Sequence, residues 1–173
     1  PLEQPIISGV AHDRSEAKVT VVGVPDIPGK AAEIFTVLAD ANANVDMIVQ
    51  NISPAGTDHT DISFTVPTLE GKAAMESLRA AQEKIGFSDI LINEHVGKLS
   101  LIGAGMRSNP GVSAKFFNAL HEAGVNIDLI STSEIRISVV TNADLLDQAV
   151  RAVHSAFGLD AEEEAVVYGG TGR

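Results

Sequence analysis

The sequence predicts an α+β protein built from two copies of one β-α-β-β-α-β unit, and three observations carry that prediction. A strand–turn–helix device occurs twice: an apolar β-branched run over 19–24 enters a helical stretch through P-D-I-P-G, and a second run over 99–102 does so through G-A-G-M-R-S-N-P-G. The spacing beyond the turn is fixed. Pro28 precedes Asn44 by 16 positions and Pro110 precedes Asn126 by 16, and the chain continues N-V-D-M-I in one copy and N-I-D-L-I in the other. A constant interval with matching apolar and polar positions marks a repeated supersecondary unit. Finally, 173 residues with 45% hydrophobic but only 4% aromatic side chains suit two aliphatic cores. Each would serve a module of roughly 75 to 80 residues, near the size at which a lone core is marginal.

In chain order, residues 1–4 are expected to be loose, 6–11 to form a short strand and 12–16 a polar turn. Residues 18–24 are the first strong strand. A helix over 29–41 places Ala31, Ile34, Phe35, Leu38 and Ala41 on one face, and Pro28 suits its start through its fixed φ and missing N–H. A strand follows over 45–51, then a turn over 53–60 on composition. In 61–66, Ile62, Phe64 and Val66 alternate with Asp61, Ser63 and Thr65, which predicts one buried and one wet face. A helix over 69–85 is expected to turn Leu69, Ala73, Leu78, Ala81 and Ile85 inward, with Gly86 ending it before a strand over 89–95.

The second half repeats this order. Strand 98–104 leads to a helix over 111–123 with Val112, Phe116, Leu120 and Ala123 inward, then to strands 125–131 and 135–140. A helix over 143–157 buries Leu146, Ala149, Val150 and Val153, a strand covers 165–168, and 169–173 read as a flexible tail. The order gives two ferredoxin-like βαββαβ modules, each an antiparallel sheet with two helices on one face. Residues 16–95 make the first and 96–173 the second. The strand within 5–12 precedes the first repeat as 90–95 precedes the second, so two arrangements stay open: self-contained modules, or the N-terminal strand added to the second module's sheet.

Net charge and composition narrow the function classes. A formal charge of −11 repels phosphate backbones, so nucleic acid is not an expected partner. There is no Cys, which excludes disulfide and thiol chemistry. No apolar run reaches the roughly 18 to 20 residues of a membrane span, and no basic leader precedes an apolar stretch; the expectation is a soluble, cytoplasmic chain. The five His (12, 59, 95, 121, 154) lack metal-ligand spacing. Gly103-Ala-Gly105 lacks the third glycine of a dinucleotide fingerprint, the Y-G-G-T-G-R end lacks the Gly-Lys-Ser/Thr of a phosphate loop, and the acids at Glu162–Glu164 read as a solvated loop.

The first turn has the strongest chemistry. At a Pro-Gly junction the leading helical N–H groups are free and converge, and the helix dipole adds partial positive charge, which suits a carboxylate. The amides of Gly29, Lys30 and Ala31 are the candidates, and Asp26, two positions before Pro28, offers a charge for an ammonium group. Together they fit a free amino acid; read alone, the same residues also make a plain solvated turn and cap. In the second copy Ser108 stands at the place of Asp26, so the amide cradle at Gly111 to Ser113 is kept and the acid is lost.

With V-P-D-I-P-G-K in the first copy, N-P-G-V-S-A-K-F-F in the second and N-I-D-L-I-S-T-S-E-I-R-I-S beyond it, nearly the whole chain resembles the tandem ACT domains of aspartate kinase. The likeness is to the separate regulatory β subunit of the αβ-type enzymes in particular. That resemblance implies a non-catalytic chain without metal or cofactor that binds threonine, together with lysine, and associates with a catalytic α subunit in feedback inhibition of aspartate-family amino-acid synthesis. It further implies a homodimer through the ACT domains, with threonine between the first domain of one chain and the second of another. By the resemblance Asp26 takes the ammonium, the Gly29 and Ala31 amides the carboxylate and Gln50 the side chain, with Asn126 and Ile127 from the facing domain and Ser113 close by. A second, pseudosymmetric crevice falls to Ser108, Gly111, Asn44 and Val45, and Asp46 and Glu134 are candidates for lysine's second ammonium. The alternative is a stand-alone ACT pair sensing an amino acid for another enzyme or for transcription or translation.

Overall fold

A computed structural model describes residues 6–51, 56–159 and 167–168. The expectations for 1–4, 162–164 and 169–173 lie outside the described residues, as do 53–55 of the expected turn and 165–166 of the last strand. In chain order the elements are β1 Ile6–Asp13, β2 Glu16–Pro25, α1 Lys30–Asp40, β3 Asp46–Gln50, β4 His59–Pro67, α2 Thr68–Ala80, α3 Gln82–Ile85 and β5 Asp89–Asn93. Then follow β6 Val96–Ala104, α4 Pro110–Glu122, β7 Leu129–Thr132, β8 Arg136–Asn142, a 3-10 turn Ala143–Leu145, α5 Leu146–Ala156 and β9 Val167–Tyr168. They form two compact units: Ser15–Glu94, and residues 6–14 joined with the described residues from 95 onward. None of the described helices is long and apolar enough to cross a membrane.

In Ser15–Glu94 the strand order is β3-β4-β2-β5, all antiparallel, which is the ferredoxin-like arrangement with α1 and α2 packed on the sheet. Val19, Val21, Phe64, Ile34, Leu38 and Leu78 are fully buried at its centre, and Phe35 meets Phe64 edge to face at 5.8 Å. The second unit is α+β in the same way, with order β7-β8-β6-β1-β9. Here β1 pairs antiparallel with β6, in the place that β5 takes beside β2, and β9 runs parallel to β1 beyond it. The final strand is therefore a fifth one at the edge. Leu99, Leu101, Phe116, Leu120, Val139, Leu146 and Val153 fill this core. Gly97 lets α5 approach closely: a Cβ there would lie 2.9–3.1 Å from Leu146 side-chain atoms.

Three expectations need correction. Leu69 is 98% exposed and Ala73 also faces outward, while α2 buries Gly71, Ala74 and Leu78. At about 100° per residue, nine positions place Leu69 about 180° from Leu78, so the two cannot share a face. The outward face of β4 is not wet either: Ser63 is 8% and Thr65 0% exposed. Small hydroxyls on an inner strand are overhung by cross-strand neighbours, here Thr20 and Val49 around Ser63 and Lys18 and Asp46 around Thr65. Both are satisfied, Ser63 by Thr20 Oγ1 at 3.0 Å and Thr65 by donating to the Asp46 carbonyl at 3.2 Å. The second sheet has the matching pair, Ser100 and Ser138, at 2.7 Å. Lastly, the polar turn expected over 12–16 shrinks to Arg14 and Ser15, because β1 runs through Asp13 and β2 begins at Glu16, both buried.

Candidate functional site

The β2–α1 turn is held by backbone bonds on its strand side and left open on its helix side. Asp26 N–H donates to the Asp58 carbonyl at 2.9 Å, Ile27 N–H to the Pro25 carbonyl at 2.9 Å, and Lys30 N–H reaches the Ile27 carbonyl only at 3.5 Å. Gly29 caps α1 with φ 94°, and nothing lies within 4 Å of where its Cβ would be. The N–H groups of Gly29 and Ala31 meet no acceptor among the described residues. Asp26, Ile27, Pro28 and Gly29 are exposed, and Lys30 Nζ is drawn to Glu33 Oε2 at 3.2 Å. A free carboxylate near this point would find open amide donors and the positive end of an eleven-residue helix.

Strand pairing brings Gln50 to the same end of the sheet. Val24 pairs with Thr60 and Pro25 with His59 where β4 begins, and Gln50 pairs with Ile62 on the other side. The Thr60 hydroxyl donates to the Asn51 carbonyl and Asn51 N–H to the Asp61 carbonyl at 3.0 Å, which ties the end of β3 to β4. Asp26, Gly29, Lys30, Ala31 and Gln50 thus gather at one end of the first unit. Asn44, Val45 and Asp46 sit at the opposite end, beyond the C-terminus of α1. There Asn44 N–H and Nδ2 donate to the two Glu70 carboxylate oxygens at 2.6 and 3.0 Å, and Val45 packs against the core. Asp46 Oδ1 accepts from Met47 N–H at 2.8 Å. Met47 is in the left-handed region, φ 51°, where β3 bulges against β4.

The second turn differs in its hydrogen bonding. Val112 N–H donates to the Asn109 carbonyl at 2.9 Å, so the cradle expected over Gly111 to Ser113 has lost one of its three amides to the turn itself. Asn109 Nδ2 donates to the Gly105 carbonyl at 2.7 Å and Met106 N–H to the Glu134 carbonyl at 2.9 Å. Ser108 Oγ donates to Glu134 Oε1 at 3.3 Å, which puts a carboxylate beside the serine that stands for Asp26. A 250 Å³ depression lies between α4 and the β7–β8 end, lined by Arg107, Ser113, Thr132 and Ser133 over Met106 and Ile137. Arg107 Nη2 donates to the Thr132 carbonyl at 3.3 Å. Thr132 occupies the place of Gln50 in the repeat, so the spacing alone pointed to it. Arg107 falls where the second copy is two residues longer, and no sequence signal marks it.

Asn126 and Ile127 lie at the far end of this unit, past the C-terminus of α4. The Asn126 carbonyl accepts from Thr141 Oγ1 at 2.6 Å while its side chain is exposed, and Ile127 packs partly against the core. A 13-residue helix is about 20 Å long. Ser113, in its first turn, therefore cannot touch the same small molecule as Asn126 of the same chain. Among the described residues no group of His, Cys, Asp or Glu is arranged to hold a metal ion.

Known proteins with this arrangement are consistent among themselves. A family model for the ACT domain matches residues 19–82 and again 99–157. The chain is 60% identical to the aspartokinase of Mycolicibacterium smegmatis over 173 residues, which is 100% of this chain and 41% of that protein. It is 54% identical to the aspartokinase of Corynebacterium glutamicum with the same coverage, so it spans 41% of the length of these curated relatives. Among solved structures it is similar to the ligand-free regulatory subunit of aspartate kinase from Thermus thermophilus, with TM-score 0.83, 39% identity, 88% of this chain covered and 99% of that one. A crystal structure of aspartokinase alpha and beta subunits matches with TM-score 0.81 and 45% identity over 88% of this chain and 99% of the other. Two matched repeats, and near-complete coverage of a regulatory subunit at 39% identity, mean that this chain belongs to the ACT-domain family as a tandem pair of the aspartokinase regulatory kind.

Proposed function

We propose that this chain is an amino-acid sensor that binds threonine, together with lysine, and transmits that binding to a catalytic aspartokinase chain as feedback inhibition. The observation that carries the reading is the open start of α1: free amides at Gly29 and Ala31, an unobstructed glycine cap, and the exposed Asp26 on the same turn. In this reading the amides take the carboxylate of threonine, Asp26 its ammonium and Gln50 its hydroxyl. Asn126 and Ile127 come from the second ACT domain of a partner chain in a homodimer, the arrangement that the family resemblance implies. Lysine needs a further carboxylate, and the candidates are Glu134, which accepts from Ser108 Oγ, and Asp46, which accepts from Met47 N–H. The kinship with a structure of aspartokinase alpha and beta subunits supports a catalytic partner of the α kind.

A ligand shared between two chains stabilises only the arrangement in which both faces are present. At a hundredfold excess over Kd the stabilisation is about 2.7 kcal/mol. A thermal-shift screen of the common amino acids, singly and in pairs, tests the reading. Threonine should raise Tm, lysine should add to it, and mixing with a catalytic chain should make aspartate phosphorylation threonine-sensitive. A screen in which threonine leaves Tm unchanged while another amino acid raises it would assign the site to that other ligand.

A further inference from the structure

A second concavity beside α4 faces away from the β7–β8 end. This open groove of 560 Å³ is lined by Ile7 of β1, Ser108 to Val112 at the start of α4, Lys115 one turn further on, and Phe157 beyond α5. Its size falls within the roughly 300 to 1,000 Å³ of small-molecule sites. The walls are mainly apolar. Ile7 and Phe157 pack against the second core, Val112 is 6% exposed, and Pro110 closes the rim.

The charge in the groove is one-sided. Lys115 Nζ stands 5.0 Å from the centre of the Phe157 ring, and among the described residues it forms no ion pair with a carboxylate. Among the described residues no acidic side chain lines the groove, although the chain as a whole carries −11. The ammonium is thus held over an aromatic face, which attracts it without neutralising it. The start of α4 adds little, because Val112 N–H is already bonded to the Asn109 carbonyl.

An apolar trough whose described lining carries one cation and no anion suits a ligand of the opposite pattern. We infer that this groove binds a small monocarboxylate with an aliphatic or aromatic tail, the tail lying along Ile7, Val112 and Phe157 and the carboxylate on Lys115. A free amino acid fits it poorly, since nothing in the lining receives an ammonium group. An alkylamine would meet the like charge of Lys115, and a neutral alcohol would gain only the apolar contact. The site is thereby distinct from the crevice at Arg107, Ser113 and Thr132, which opens on the other side of the helix.

Titration of the ¹⁵N-labelled full chain with hexanoate, hexan-1-ol and hexylamine tests this. Hexanoate should shift the amides of Gly111, Val112, Lys115 and Phe157 and bind about fivefold more tightly than hexan-1-ol, the scale of a partly exposed ion pair. Lys115→Gln should reduce hexanoate to the level of the alcohol, and Lys115→Arg should preserve it. Equal binding of hexanoate and hexylamine, shifts confined to other residues, or unchanged affinity in Lys115→Gln would overturn the inference. So would absence of binding. Threonine acts on the amides of Gly29 to Ala31 instead, so either reading can fail without the other.

Discussion

Gly29 and Gly111 occupy the same place in the two repeats, yet the same substitution should have opposite signs at them. At Gly29 φ is 94° and no atom lies within 4 Å of an added Cβ, so Gly29→Ala meets no clash and costs only left-handed backbone strain. That strain is about 1 to 2 kcal/mol for an L-residue. At Gly111 the space is equally open but φ is outside the left-handed region and the residue lies in the first turn of α4. Replacing a helical glycine by alanine there restricts the unfolded chain and should stabilise by about 0.4 to 1 kcal/mol. The difference between the two variants is then roughly 1.5 to 3 kcal/mol. Urea unfolding followed by circular dichroism resolves this, and thermal midpoints should separate by several degrees, since about 1 kcal/mol shifts a domain of this size by roughly 4 to 8 °C. Equal effects of the same sign at both positions would refute the conformational assignment of the two caps, and with it the claim that only the first turn presents an open, glycine-specific cradle.

Two further predictions concern packing and charge. Leu78→Ala should cost about 2 to 5 kcal/mol because the side chain is fully buried, whereas Leu69→Ala should stay within about 0.5 kcal/mol; similar costs would mean the phase of α2 is wrong. The Arg14 guanidinium, 2.9 Å from Asp147 Oδ1, holds that carboxyl below its ordinary 3.8, first by the hydrogen bond and then by charge. A depressed folded value means the contribution is present above 3.8 and lost as pH falls through the lower folded value. Arg14→Gln should therefore lower Tm slightly at neutral pH, with the difference shrinking as the carboxyl protonates in acid, and a difference that stays constant into acid would remove the pair as its cause.

How far the fold was legible depended on what each pattern reports. α1 and α4 were readable because Ile34, Leu38, Phe116 and Leu120 repeat at helical spacing without competitors. α2 was not, because its buried face is built on Gly71 and Ala74, which carry little apolar signal, while the conspicuous Leu69 faces out. Alternation in β4 gave the apolar face correctly, but polarity says nothing about what overhangs Ser63 and Thr65. A strand pattern reveals its own extent and not its partner, so the pairing of β1 with β6 and the outer place of β9 are visible only in the fold. At the candidate site, Pro-Gly and the repeat spacing located both turns. The bond that removes Val112 N–H from the second, and the approach of Glu134 to Ser108, depend on loop conformation that no spacing encodes.

The central claim is that free amides at the start of α1 and the Asp26 carboxylate together seat a zwitterion. Calorimetric titration of the full chain with threonine, repeated on Asp26→Ala, tests it most directly. The account predicts saturable binding by the unaltered chain and its loss in the variant, with unfolding of the two proteins otherwise alike. Undiminished threonine affinity in Asp26→Ala would contradict it.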